Sequence, residues 1–227
     1  MHPLLRRIDG YCERVGEAFW AEPLNAVTNI SFILAGVAAI MLARRLDRLD
    51  GAVMFLTANA IVVGIGSFLF HTYATVWAAM ADTGPILVFI LAYFAIAMNR
   101  FVGLSWRQSA LVTAGFLVGM FALSGVLRVL LHDIVGGTQS YFPALIALGG
   151  VGAWLAARGH PAGRGLMTAA GVFAVSLTFR ALDKPVCSLW PVGTHFLWHL
   201  LNGLLLWLLI LTLIRHGRAP LRAPAPA

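Results

Sequence analysis

Residues 195–214 read HFLWHLLNGLLLWLLILTLI, twenty positions without one Asp, Glu, Lys or Arg. Coiled as an α-helix at about 1.5 Å per residue, that run reaches about 30 Å, the thickness of a bilayer's hydrocarbon core. It predicts a membrane-spanning helix. The two histidines at its start are its only ionisable groups, and ionisable side chains inside a membrane span are functional candidates by default.

Six further apolar runs precede it, near 25–43, 52–70, 82–99, 108–127, 142–157 and 165–180. The 227-residue chain is 60% hydrophobic and 11% charged, well above the apolar share of about 45–50% typical of soluble domains. Backbone polar groups in hydrocarbon must be satisfied within each segment, so the runs predict an all-α integral membrane protein, a seven-transmembrane-helix bundle. A barrel would show short alternating strands, and the runs are unbroken. The fifth and sixth are short, and LGGVGAW at 148–154 weakens the fifth, so six spans is the alternative count. Around the membrane domain, 25–214, lie an acidic N-terminal tail, 1–24, and a Pro/Ala-rich tail, 215–227, which reads as disordered. No repeat of fixed period is visible. The opening MHPLLRRIDGYCER has no apolar core and so is not a cleavable signal; the first span must start insertion.

With seven spans, ten basic residues fall on one side: Arg44, Arg45, Arg48, Arg100, Arg107, Arg158, Arg164, Arg215, Arg218 and Arg222. Six fall on the other: Arg6, Arg7, Arg14, Arg128, Arg180 and Lys184. The positive-inside rule then puts the C-terminus in the cytoplasm and the N-terminus outside. Seven of nine acids, Asp9, Glu13, Glu17, Glu22, Asp82, Asp133 and Asp183, collect on the outer side, which is a chemical signal and not a topological one. The net charge of +7 suits cytoplasmic loops facing anionic lipid and gives no support for nucleic-acid binding. Nothing in the sequence implies a protein partner.

His195 and His199, four apart, share one helix face. His71 closes the second span, which runs outward, while the seventh runs inward, so the three imidazoles reach one depth near the outer surface. Three histidines with room for water is the arrangement of a catalytic zinc site, although imidazole also suits iron and copper. Hydrogen bonds to neighbouring helices and haem binding are the alternatives. A zincin protease is excluded, because Phe196 stands where it needs Glu. Ser67 lies one turn before His71 on the same face, or else is a small helix-packing residue. Asp82, in AAMADTGPILVF, is either a carboxylate beside the metal or the N-cap of the third span, since Asp-Thr before an apolar run with a nearby Pro is a helix-start pattern. A retinal pigment would need a lysine deep in the last helix, and the only lysine is Lys184, beside Pro185.

The ordered set GSFLFH, Asp82 eleven residues after His71, HFLWH, and the opening YCER and FWAEPLNAVTN resembles the alkaline ceramidase family of the CREST superfamily of seven-span membrane hydrolases. The likeness runs from Asp9 to about Gly203. It implies that His71, His195 and His199 hold zinc, that Asp82 works with the metal's water, and that Ser67 stands beside the metal. It implies a ceramidase-like amidohydrolase acting on a linear amide, cleaving ceramide or a related N-acyl lipid to a long-chain amine and a fatty acid. Trp190, Phe196 and Trp198 are candidates to line the route of the acyl chain.

The resemblance further implies a calcium site among Asp9, Glu13 and Glu22. Asp-Gly-Tyr-Cys-Glu stands where the eukaryotic enzymes have Asp-Trp-Cys-Glu, which puts Asp9 out of step, and a solvated acidic tail is the alternative. Cys12 and Cys187 lie on the same, oxidising side; a disulfide between them is expected, with free buried thiols as the alternative, and the resemblance favours the bond. A non-catalytic, receptor-like lipid-binding member of the superfamily is the competing function. Retention of both Ser67 and Asp82 favours the enzyme.

Overall fold

The computed structural model describes residues 2–217, and all regular structure among them is helical apart from one isolated bridge between Arg7 and Thr75. The tail expected over 215–227 lies mostly outside the described residues; Arg215 and His216 belong to the last helix. The helices are α1 (Pro23–Thr28), α2 (Ile30–Arg45), α3 (Gly51–Tyr73), α4 (Val76–Ala97), α5 (Trp106–Val135), α6 (Phe142–Ala157), α7 (Ala162–Leu182) and α8 (His195–His216). Helices α1 and α2 form one span, Pro23–Arg45, with a step at Asn29, whose Nδ2 donates to the Asn25 carbonyl at 2.7 Å. Seven spans result, and α8 is the hub. It buries 61% of its most apolar stretch, whereas Trp106–Leu131 buries none and stands at the lipid-facing rim.

Local chemistry explains the ends. Asp50 caps α3 by accepting from the Ala52 and Val53 N–H groups, and pairs with Arg100 at 2.6 Å. Ala74, at φ +47°, ends α3 in the left-handed region. The fifth span is not broken by its glycines: a 3₁₀ turn, Gly136–Tyr141, extends it at the outer end, and a Cβ at Gly152 would lie 3.0 Å from the Leu166 side chain. Small residues here let helices approach closely.

Asp82 is not the start of its helix. Helix α4 begins six residues earlier, at Val76, with Thr75 preceding it, and Asp82 is buried in its second turn. The start pattern misleads because Pro85 is tolerated inside α4. Pro85 has no N–H for the carbonyl of Ala81. That carbonyl instead lies against α3 at Gly66, where an added Cβ would come within 2.0 Å of it. This approach sets Asp82 against α3.

The N-terminal segment is folded across the bundle's end. Ile8 N–H donates to the Ala74 carbonyl at 2.8 Å, and Val76 N–H to the Arg6 carbonyl at 3.1 Å. Cys12 and Cys187 form a disulfide with a Cα separation of 5.5 Å.

Candidate metal centre

Helices α3 and α8 bring His71, His195 and His199 together, their ligand atoms all within 4.8 Å of one another. Among the described residues no other such grouping of His, Cys, Asp or Glu occurs. The three are 1%, 1% and 0% exposed. One ring nitrogen of each, His71 Nε2, His195 Nδ1 and His199 Nε2, is buried with no hydrogen-bond partner. Buried polar atoms are rarely left unpaired, and three converging ones fit a shared ligand. Three imidazoles with no fourth protein ligand among the described residues suit a divalent metal ion.

What surrounds the rings fixes their orientation. His71 Nδ1 lies 2.6 Å from Glu22 Oε2, and His199 Nδ1 lies 3.1 Å from Thr28 Oγ1. A carboxylate or hydroxyl on the far nitrogen sets the tautomer and turns the near nitrogen to the metal. His195 is held by stacking, between Tyr11 at 3.7 Å and Trp198 at 5.0 Å. Ser31 Oγ donates to the His199 carbonyl at 2.9 Å and ties α2 to the same turn.

Ser67 and Asp82 stand beside this group, brought next to each other by the α3–α4 approach at Gly66. Both are buried, and Ser67 Oγ and Asp82 Oδ1 also lack a partner. Ser67 is the near neighbour of the Asp82 carboxylate, and neither group is engaged by a third residue.

The acids expected to gather around calcium have separate work. Asp9 is mostly exposed, its Oδ1 4.0 Å from Lys184 Nζ. Glu13 caps α1, accepting from Leu24 N–H at 2.7 Å and Asn25 N–H at 2.8 Å. Glu22 Oε1 pairs with Arg14 Nε, while Oε2 takes His71 and Asn25 Nδ2, the latter at 3.1 Å. The buried Arg14 guanidinium also donates to the His71 carbonyl at 2.9 Å, so an arginine supplies the positive charge there. The departure in spacing after Asp9 has this physical counterpart: Asp9, Glu13 and Glu22 are not gathered as a calcium ligand set. Burial works to raise the Glu22 carboxyl, but the hydrogen bond of His71, with the charge of Arg14 and the Asn25 amide, outweighs it and holds the group below its ordinary value.

Asp183 closes the histidine end of the bundle. Its Oδ1 accepts from the Thr194 and His195 N–H groups at 2.8 and 2.9 Å, and Oδ2 from Cys12 N–H at 3.0 Å. Gly193, at φ +64°, lets this turn pass; a Cβ there would come 2.1 Å from Asp183 Oδ1. One carboxylate thereby caps α8 at His195 and anchors the segment bearing Tyr11. Asp183, Tyr11, Thr28 and Arg14 have no spacing rule that links them to the histidines, so the sequence reading passed them by.

Beside the histidines, where Phe32 and Trp198 pack on His199, an apolar cavity is lined by Phe32, Phe89, Tyr141, Trp198, Asn202 and Leu206, among others. Of the three aromatic residues expected along the acyl route, Trp198 lines it, Trp190 is half exposed, and Phe196 is not part of the lining.

Comparison with curated proteins finds no match. Residues 9–220, nearly the whole described chain and every residue of the centre, match the family described as Ceramidase, and the chain belongs to that family.

Proposed function

We propose that this protein is a zinc-dependent amidohydrolase of the membrane, cleaving the N-acyl bond of ceramide or a related lipid to a long-chain amine and a fatty acid. The observation that carries the reading is the convergence of three buried, unpartnered imidazole nitrogens, with the Ser67 hydroxyl and the Asp82 carboxylate buried beside His71. A receptor-like binder has no need of the last two.

His71, His195 and His199 would hold the ion, which when bound supplies an activated water and a polarised carbonyl. Glu22 and Thr28 keep the ring nitrogens aimed, and Tyr11 and Trp198 keep His195 flat between them. Asp82 takes the proton from the attacking water and returns it to the departing amine nitrogen. Ser67 donates to the oxygen that gains charge as the carbonyl becomes tetrahedral. The C–N bond then breaks, giving a carboxylic acid and an amine with no other reactant. The apolar cavity takes the acyl chain, and the site sits at the depth where a lipid amide lies. The charge bias and seven spans favour an N-terminus outside and a cytoplasmic C-terminus. This reading gives calcium no step: Glu13 and Glu22 are engaged by α1, Arg14 and His71, and Asp9 lies apart from them.

Metal content of detergent-purified protein, measured by mass spectrometry beside His195→Ala, tests the first half. About one zinc per chain, lost in the variant, is expected. Fatty-acid release from ceramide by the parent and by Asp82→Asn tests the second. Asp82→Asn should keep its metal and lose at least about 100-fold in turnover. Full activity in Asp82→Asn would refute the proton-transfer role, and absence of metal from the parent would refute the hydrolase.

A further inference from the structure

Arg180 occupies the last turn of α7. Its Nη1 donates to Thr138 Oγ1 at 3.0 Å, and its guanidinium carbon lies 5.3 Å from the Tyr141 ring centroid and 5.9 Å from that of Trp198. Its Nε is buried with no partner. Among the described residues no carboxylate lies within ion-pair distance of it. The nearest acid along the chain, Asp183, spends both oxygens on the backbone N–H groups of Cys12, Thr194 and His195. A guanidinium carries five donors and always its charge; Asp82 and Asp183 act on this one only from beyond ion-pair reach, so it is held part-buried at a cost.

Its position says what could offset that cost. Trp198 stacks on His195 at 5.0 Å and also lines the apolar cavity, so Arg180 stands one ring away from the metal centre. Tyr141, the other ring beneath the guanidinium, lines the same cavity at the outer start of α6. On the hydrolase reading the acyl chain runs from the amide past Asn202 and Leu206. Arg180 lies at the other end of the cavity, beside Thr138 and Gly137, where on the hydrolase reading the amine half of the lipid would emerge.

We propose that Arg180 receives an anionic group carried on the amine half of the substrate, and that the preferred substrates are acidic N-acyl lipids, with a carboxylate, sulfonate or phosphate a few bonds from the amide, over neutral ceramide. The inference rests on the hydrolase reading above and narrows its substrate. A charge-assisted, two-pronged contact between guanidinium and oxyanion is stronger than a bond to a hydroxyl and selects by charge.

The test pairs N-palmitoylserine with its methyl ester, which differ in that one charge. Binding is read from tryptophan fluorescence in neutral detergent, independently of turnover, for the parent, R180Q and R180K. The parent should bind the acid at least about tenfold tighter than the ester. R180Q should bind both alike at the ester's affinity, and R180K should keep part of the preference. Equal affinities in the parent, or a preference that survives R180Q, overturn the proposal. So does a result in which R180Q weakens only free palmitate, which would make Arg180 a site for the product's carboxylate. Fatty-acid release is measured alongside, where the preference should show in KM. If the parent hydrolyses neither compound nor ceramide, the hydrolase reading falls, and the binding comparison still decides the role of Arg180.

Discussion

Replacing Glu22 with Gln separates what that carboxylate does for the fold from what it does for the metal. In the parent both members of the Arg14–Glu22 pair are 3% exposed at the side chain, and Glu22 also holds His71 Nδ1 at 2.6 Å. Glu22→Gln leaves the Arg14 guanidinium buried and uncompensated, which costs about 3–5 kcal/mol. It also removes the carboxylate that orients His71, a change that lowers metal affinity about 10–100-fold. Arg14→Met should cost a similar amount of stability, now from an unpaired carboxylate, yet keep most of the zinc affinity. The double variant has no buried charge at this place, so its stability should return to within about 2 kcal/mol of the parent, while its zinc affinity stays as low as in Glu22→Gln. Thermal unfolding of the apo proteins in detergent and competition titration with a zinc chelator give the two readouts. Zinc affinity unchanged in Glu22→Gln would refute the orienting role, and a double variant no more stable than either single one would refute the ion-pair accounting.

Three other outcomes follow from the same geometry. Gly66→Ala puts a Cβ 2.0 Å from the Ala81 carbonyl, so α3 and α4 must part; displacement on the order of 1 Å should cost about 100-fold in turnover, whereas zinc content, held by α3 and α8, should persist. Asp50 feels burial, which raises its pKa, but the hydrogen bond from Arg100 and the α3 N–H groups win and lower it. A carboxyl lowered on folding adds stability that is present above its unfolded pKa and lost as pH falls through the folded one; Asp50→Asn should therefore flatten the acid limb of the stability profile below the ordinary carboxylate pKa and leave the alkaline limb alone. Calcium chelation should leave unfolding temperature and activity unchanged, because Glu13 and Glu22 are committed to α1 and to Arg14 and His71; a drop that calcium restores would contradict this.

Seven spans and the histidine triad were legible because both rest on local regularities, run length and the i, i+4 repeat. The depth argument that joined His71 to His195 and His199 needed only the alternation of span direction. Asp82 was legible as a site residue but not in its helix, since Asp-Thr ahead of a Pro imitates a start that Thr75 and Val76 make six residues earlier. Glu13 and Glu22 stood out as acids, while their partners did not. Whether a carboxylate finds an arginine, an amide or an ion depends on which distant segment folds over it, and Arg14 looked like one more positive charge on the outer side. Arg180 was hidden for the same reason.

The staple at Asp183 has a consequence for how the molecule is made. It joins Cys12, at the front of the chain, to the first turn of the last helix, and the disulfide to Cys187 spans the same gap. His71 is synthesised more than a hundred residues before its fellow ligands, so no intermediate on the ribosome can hold the ion with three imidazoles. The centre forms only after the seventh span has entered the bilayer and the opening segment has been drawn across it. On the proposed reading, metal occupancy is therefore a signature of finished assembly, and a chain that stalls before α8 leaves insertion with His71 apart from its two partners.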